Sequence, residues 1–259
     1  MKCLVDMDII QIDLTNACCY SCSNCSRFCG HQKSYFLSFD QFKQAVDSMV
    51  LNIPFPGITG FCGGEPLLHP EFEKLCEYAA TRIPREQLGL LSSFPKGYEK
   101  YRETICRTFG NIWLNDHTKP NIYHCPILVA IEEVEPDPKK MFQYIAHCWV
   151  NEKWSASINP KGAFFCEIAG GLAMLFDGNS GWPVEQEWWA RTPKDYTAQI
   201  EEYCPKCGCS APLPRRISTD GRDDISPGNL KRLEGKSFKV KHDQYVVSDL
   251  KIAEELNEM

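Results

Sequence analysis

The sequence predicts an α/β fold: a partial (β/α)6 TIM-like barrel followed by a small C-terminal domain that contains a β-hairpin. Two observations predict it. In the first half of the chain, short apolar runs alternate with amphipathic helical stretches, which is typical of parallel strands joined by right-handed crossovers. After Cys148 the sequence changes to short segments rich in turn residues, aromatic residues and cysteine. In such a barrel we expect the chemistry at the carboxyl ends of the strands.

The alternation can be assigned element by element from apolar periodicity and from the helix N-cap at Ser38. The predicted strands are Ile9 to Leu14, Ile58 to Phe61, Leu88 to Leu91, Asn111 to Leu114 and Ile127 to Ile131. The predicted helices are Ser38 to Leu51, Pro70 to Ile83, Tyr98 to Phe109 and Pro138 to about His147. These elements predict a barrel domain over residues 1–147.

The second half predicts a small domain over residues 148–214 and a polar tail over 215–259. A hairpin is expected from strands Trp154 to Ile158 and Ala163 to Ile168, joined by turn residues, with a helix near Leu172 to Phe176. Gly178 to Pro214 is too irregular for a large core of its own, so we expect a bound metal to order it. A helix is expected in the tail, near Ser248 to Asn257.

Composition excludes some functions. The chain has 259 residues and a net charge of -6, which argues against a protein that grips nucleic acid through its phosphates. No apolar run approaches the ~20 residues of a spanning helix, and the amino terminus lacks a secretion signal, so we expect no membrane association and a cytoplasmic location. Cytosolic thiols stay reduced, so the 15 cysteines favour metal ligation over disulfides.

Three of these cysteines form a C-x3-C-x2-C motif directly after the first predicted strand: Cys18, Cys22 and Cys25. A loop of this length can hold one corner of an iron-sulfur cubane with three thiolates and leave the fourth iron without a protein ligand. Cys19 and Cys29 fall outside the spacing and are not expected to be ligands. The alternative is a zinc loop or a set of inert thiols, although zinc sites usually join two cysteine pairs.

The motif resembles the cluster loop of the radical S-adenosylmethionine (SAM) superfamily in its spacing, its position and its preceding residues Leu14-Thr15-Asn16-Ala17. The resemblance implies that the open iron of a [4Fe-4S] cluster binds SAM, and that SAM is cleaved to methionine and a 5′-deoxyadenosyl radical that abstracts hydrogen from a substrate. It also implies a reducing partner such as flavodoxin or ferredoxin. Asn24 stands where the family commonly has an aromatic residue, so we expect different packing around the cluster.

A second motif, Gly63-Gly64-Glu65-Pro66, follows the second predicted strand. Glycines let backbone approach a ligand closely, and a carboxylate can meet an ammonium group. Taken alone the sequence could be an ordinary turn, but its position one βα unit after the cysteine loop matches the GGEP motif of the same superfamily, which implies that it binds the amino group of SAM. Ser92, Ser93 and Asn115 end the next strands and are candidate further SAM contacts.

Four later cysteines form a second pattern: Cys148, Cys166, Cys204 and Cys207. Two flank the predicted hairpin and two form a C-x2-C pair, which suits a cluster or a zinc knuckle. The layout resembles the Twitch domain, a shortened SPASM domain, and implies one auxiliary [4Fe-4S] cluster, which in an aminocyclitol dehydrogenase of this type accepts an electron from the substrate radical. Either Cys125 or Cys209 could replace one of the four.

Two reactions fit these parts. One oxidises a small polar substrate such as a sugar or cyclitol; the other epimerises or cross-links a peptide. No peptide-docking module is recognised before the first strand, which favours the small molecule. The candidate catalytic residues are Cys125, as a hydrogen-atom donor, and Asp116, His117 and Glu132, as bases. A non-catalytic zinc or iron-sulfur module is the alternative of another class.

Overall fold

A six-stranded, mostly parallel sheet forms the centre of the protein, in a computed structural model that describes residues 1–153 and 156–252. The strands up to the hairpin are β1 Ile9–Thr15, β2 Ile58–Gly63, β3 Leu88–Ser92, β4 Asn111–Leu114, β5 Tyr123–His124, β6 Ala156–Asn159 and β7 Gly162–Phe164. The sheet order is β4-β3-β2-β1-β6-β7. All residues of β1 are buried, as expected for the central strand of a parallel sheet covered by helices.

Helices follow the strands and pack against them. Within the described residues the α-helices are α1 Phe39–Val50, α2 Phe72–Ala80, α3 Arg102–Thr108, α4 Ile131–Val134, α5 Pro138–Ala146, α6 Trp149–Lys153, α7 Glu167–Leu175, α8 Thr197–Tyr203, α9 Pro227–Leu233 and α10 Phe238–Lys241. Ser38 is the N-cap of α1, as predicted, and it forms a capping box with Gln41: Gln41 N donates to Ser38 Oγ (3.3 Å), and Ser38 N donates to Gln41 Oε1 (3.2 Å). The four predicted βα strands and their helices are confirmed, which gives a mixed α/β fold consistent with a partial TIM-like barrel.

The predicted strand from Ile127 to Ile131 is wrong. Its first residues form a turn in which Val129 N donates to Pro126 O (3.0 Å), and α4 begins at Ile131. The run is nevertheless buried, since Gly208 N donates to Ile127 O (3.0 Å) and the segment packs against the carboxyl-terminal part of the chain. The apolar run therefore indicated burial but not a strand.

The hairpin extends the main sheet. Strand β6 pairs in parallel with β1, with Ile10 opposite Ala156, and β7 pairs antiparallel with β6. The second strand ends at Phe164 instead of Ile168 because α7 begins at Glu167. Residues 154 and 155, where the first strand was predicted to begin, lie outside the described residues.

The carboxyl-terminal segment is more structured than a polar tail. It contains β8 Arg216–Ile217, β9 Asp223–Ile225 and β10 Tyr245–Val247, besides α9 and α10. Strand β9 pairs in parallel with β10, and β8 pairs antiparallel with β5. The tail helix predicted near Ser248 to Asn257 does not form over 248–252, and 253–257 lie outside the described residues. Within the described ranges, no helix is long and apolar enough to span a membrane.

Candidate functional site

A cavity of about 520 Å³ opens at the carboxyl ends of β1 to β4, where the partial barrel predicts the chemistry. Its volume lies within the roughly 300–1,000 Å³ of small-molecule pockets. The predicted site residues that line it are Cys18, Cys22, Cys25, Gly63, Gly64, Ser92, Ser93, Asn115, His117 and Cys125. Residues far apart in the sequence therefore share one space.

The loop thiols face this cavity together with Cys29. Cys29 forms sulfur hydrogen bonds with Cys18 and Cys25, and these bonds hold the pKa of Cys25 well below its usual value and lower the pKa of Cys18. Burial raises the pKa of Cys22 to about 12. At two of the three predicted ligands the pKa is thus shifted in the direction of the thiolate form that metal binding requires. Cys29 was not expected at the site, because its position in the sequence falls outside the C-x3-C-x2-C spacing.

The two motifs are joined backbone to backbone. Gly64 N donates to Thr15 O (2.7 Å), and Glu65 N donates to Ala17 O (2.8 Å). Gly63 has φ +123°, and a Cβ there would lie 2.2 Å from Thr15 O; a Cβ on Gly64 would lie 2.2 Å from Ala17 O. Both positions therefore need glycine so that the end of β2 can pack against the cysteine loop.

Glu65 is buried beside the cavity, and its carboxylate is occupied by donors of the chain. Oε1 accepts from Ser92 Oγ (2.7 Å) and Leu67 N (3.1 Å), while Oε2 accepts from Ser93 N (2.9 Å) and Ser93 Oγ (2.6 Å). Glu65 and Pro66 are not among the described residues that line the cavity. Ser92 and Ser93 thus connect Glu65 to the cavity wall.

The candidate bases separate into two groups. His117 lines the cavity, its Nδ1 lies 3.2 Å from His124 Nε2, and burial lowers its pKa. Asp116 accepts from Thr118 N (3.0 Å) and its hydroxyl (2.6 Å), outside the cavity lining. Glu132, on α4, pairs with Arg232 of α9 (3.0 Å) and also lies outside the lining.

Sequence reasoning missed a buried polar cluster on the cavity floor. Arg27 lies 3.2 Å from Asp13 and 3.2 Å from Glu167, donates to Cys62 Sγ (3.3 Å) and hydrogen-bonds Gln11. All but Asp13 line the cavity. Burial raises the pKa of Asp13 to about 6. The signal available in the sequence was a pair of polar residues, at positions 11 and 13, inside an otherwise apolar strand.

The later cysteines converge on a separate, smaller cavity of about 20 Å³, room for about one water-sized group. Cys148, Cys166, Cys204, Cys207 and Cys209 line it. Burial raises the pKa of Cys166 to about 12 and those of Cys204 and Cys207 well above their usual value. No basic side chain is among the described residues that line this cavity.

Cys209 lies between the two cavities and lines both. It forms sulfur hydrogen bonds with Cys125, on the large cavity, and with Cys148, on the small one. The bond to Cys209 lowers the pKa of Cys125 to about 6. Across residues 1–153 and 156–252, no three His, Cys, Asp or Glu side chains meet the spacing for a single metal ion.

Two crystal structures of BtrN resemble this chain. BtrN in complex with AdoMet and 2-DOIA is 13% identical, with a TM-score of 0.48, over 77% of this chain and 88% of that chain. Selenomethionine BtrN in an open conformation is 15% identical, with a TM-score of 0.50, over 78% of this chain and 87% of that chain. The chain shares the fold of BtrN. At this identity the likeness concerns the fold alone; no protein-family model and no curated protein sequence matches the chain.

Proposed function

We propose that this protein is a radical SAM enzyme that abstracts a hydrogen atom from a small polar substrate such as a sugar or cyclitol. The observation that carries the proposal is the backbone pairing of the cysteine loop with Gly64 and Glu65 beside one cavity. The shared fold is compatible with it, since BtrN has been crystallised with AdoMet and 2-DOIA. Reduced thiols suit a cytoplasmic protein that receives electrons from a flavodoxin or ferredoxin.

The number and type of the sulfur donors would suit two iron-sulfur clusters. Cys18, Cys22 and Cys25 would hold a [4Fe-4S] cluster beside the large cavity, where the pKa is lowered at Cys18 and Cys25. Cys148, Cys166, Cys204 and Cys207 would hold an auxiliary cluster, whose positive irons would compensate thiolates buried without a basic partner. When bound, the first cluster with SAM would supply the 5′-deoxyadenosyl radical, and the second would accept an electron.

The residues of the GGEP motif would position SAM. Gly63 and Gly64 expose backbone at the cavity wall, whereas the carboxylate of Glu65 is set behind Ser92 and Ser93. We propose that the two serine hydroxyls reorient toward SAM when Glu65 meets its ammonium group, since a hydroxyl can donate or accept. Asn115 lies on the same wall and would contribute an amide contact.

The substrate would lie against the polar floor. Gln11, Arg27 and Glu167 offer both donors and acceptors there, which suits a substrate with several hydroxyl groups. His117 is the best placed proton acceptor, because burial lowers its pKa and so keeps the imidazole neutral near pH 7. The carboxylates of Asp116 and Glu132 are already paired away from the cavity.

Anaerobically reconstituted protein tests the proposal directly. With dithionite and SAM it should release 5′-deoxyadenosine and methionine, and a deuterated polyol or cyclitol that is a substrate should transfer deuterium to the 5′-deoxyadenosine. Cys106→Ala is a matched control, because Cys106 is exposed and lies on α3, outside the cavity lining. Iron-loaded protein that leaves SAM intact would contradict the proposal.

A further inference from the structure

Lys239 lies beneath the cysteine loop, although it is separated from it by more than 200 positions in sequence. Its side chain is 1% exposed. The ammonium group donates to the carbonyl oxygen of Cys22 (3.0 Å) and pairs with Asp223 (2.9 Å). A lysine is almost never this buried unless it is paired, so the position of this charge is determined by the fold.

Asp223 is the centre of the network that holds this lysine. Its carboxylate also accepts from His31 Nε2 (2.8 Å) and from the backbone N–H of Asn24. His31 Nδ1 lies 2.8 Å from the hydroxyl of Ser237 at the start of α10, and Phe238 N donates to His31 O (2.7 Å). The carboxyl-terminal segment therefore holds both ends of the stretch from Cys22 to His31.

The shape of the loop leaves room for this arrangement. Gly30 has φ +84°, and a Cβ at Gly30 would lie 3.4 Å from Cε of Lys239. Asn24 has φ +51°, a conformation that asparagine tolerates better than most residues. Its amide nitrogen donates to Asp224 Oδ2 (2.9 Å), and its amide oxygen accepts from Asp224 N (2.8 Å). A polar network thus occupies the position where the radical SAM superfamily commonly has an aromatic residue.

We infer that the fixed positive charge of Lys239 raises the reduction potential of the cluster that Cys18, Cys22 and Cys25 would hold. The inference rests on the function proposed above. Reduction adds negative charge to a thiolate-ligated cluster, and a buried cation nearby stabilises the added electron. Asp223 opposes this effect with a charge of the other sign, while it keeps the lysine in place.

Two variants that break the same ion pair separate this role from a merely structural one. Lys239→Gln removes the positive charge and should lower the midpoint potential of the loop cluster by about 59 mV or more, the shift of a tenfold change in a one-electron equilibrium. Asp223→Asn removes the negative charge and should raise the potential. Lys239→Arg keeps the charge and should stay near the wild-type value. The measurement is a redox titration followed by electron paramagnetic resonance.

Opposite shifts in Lys239→Gln and Asp223→Asn support the inference, because loosening of the loop would move both potentials in the same direction. Shifts of one sign, or none, overturn it. If Lys239→Gln cannot be loaded with iron, Lys239→Arg and Asp223→Asn decide: the first must match the wild type and the second must be more positive. Loaded wild-type protein with unshifted variants overturns this inference alone, whereas wild-type protein that binds no loop cluster overturns the proposed function as well.

Discussion

The two cysteine sites of this chain differ in their surroundings. The loop thiols face a cavity of about 520 Å³ and lie over a network of charged residues, whereas the later thiols enclose about 20 Å³ without a basic side chain among the described lining residues. The first site has room for a cofactor and a substrate. The second is much smaller, and Asn151, Tyr203 and Ser210 line it together with its thiols.

Under the proposed function, the two sites have different roles. A site that binds and cleaves a small molecule needs access and polar groups that orient it, while a site that stores or passes electrons is better isolated from solvent. Cys209 lies where the two sites meet and touches both cavities.

The largest effect is expected from removing a ligand at either site. Cys22→Ala should lose the loop cluster and all SAM cleavage, because three thiolates are the minimum that holds such a cluster with an open iron. Cys204→Ala should lose the auxiliary iron and substrate turnover but keep part of the SAM cleavage. The measurements are iron content and released 5′-deoxyadenosine. If the Cys22→Ala variant still cleaves SAM, the assignment of SAM cleavage to the loop site is contradicted.

A second test separates the sites through the backbone. Gly63→Ala places a Cβ 2.2 Å from Thr15 O and should displace the cysteine loop, so that roughly half of the iron is lost while the auxiliary site stays loaded. Gly97→Ala is the matched control, since Gly97 also has positive φ (+92°) but no atom within 4 Å of a Cβ. The control should cost about 1–2 kcal/mol of stability and no iron. Equal iron loss in both variants would contradict the packing role of Gly63.

A smaller effect is expected where the sites meet. Cys209→Ala should leave iron content unchanged, and it should raise the pKa of Cys125 from about 6, because the hydrogen bond that lowers it is lost. The rate of Cys125 alkylation as a function of pH measures this pKa. Loss of the auxiliary iron would instead identify Cys209 as a ligand.

The smallest effect concerns the floor of the open site. Burial raises the pKa of Asp13 from 3.8 to about 6, so the carboxyl favours folding most below pH 4 and this contribution is lost as the pH rises through 6. Wild-type stability relative to Asp13→Asn should therefore fall between pH 4 and pH 8, by on the order of 1–3 kcal/mol. Chemical denaturation at both pH values measures it. A stability difference between wild type and Asp13→Asn that does not change with pH would contradict the raised pKa of Asp13.

Local pattern was enough to predict the first four strands, their helices and the motif residues at the cavity, because periodicity, caps and motif spacing are properties of neighbouring residues. The contacts that complete the site join residues that lie far apart in the sequence. Asn24 meets Asp224 across 200 positions, and Arg27 meets Glu167 across 140. No periodicity connects such partners, so Gln11, Arg27, Glu167 and Lys239 could not be assigned before the fold was known.

The most direct test of the central claim is electron paramagnetic resonance of anaerobically purified, reduced protein with and without SAM, together with its iron and sulfide content. We expect about eight irons per chain and two cluster signals, of which only one shifts when SAM is added. About four irons together with zinc would keep the loop site and remove the auxiliary cluster. No iron after reconstitution, or no signal that responds to SAM, would contradict the account.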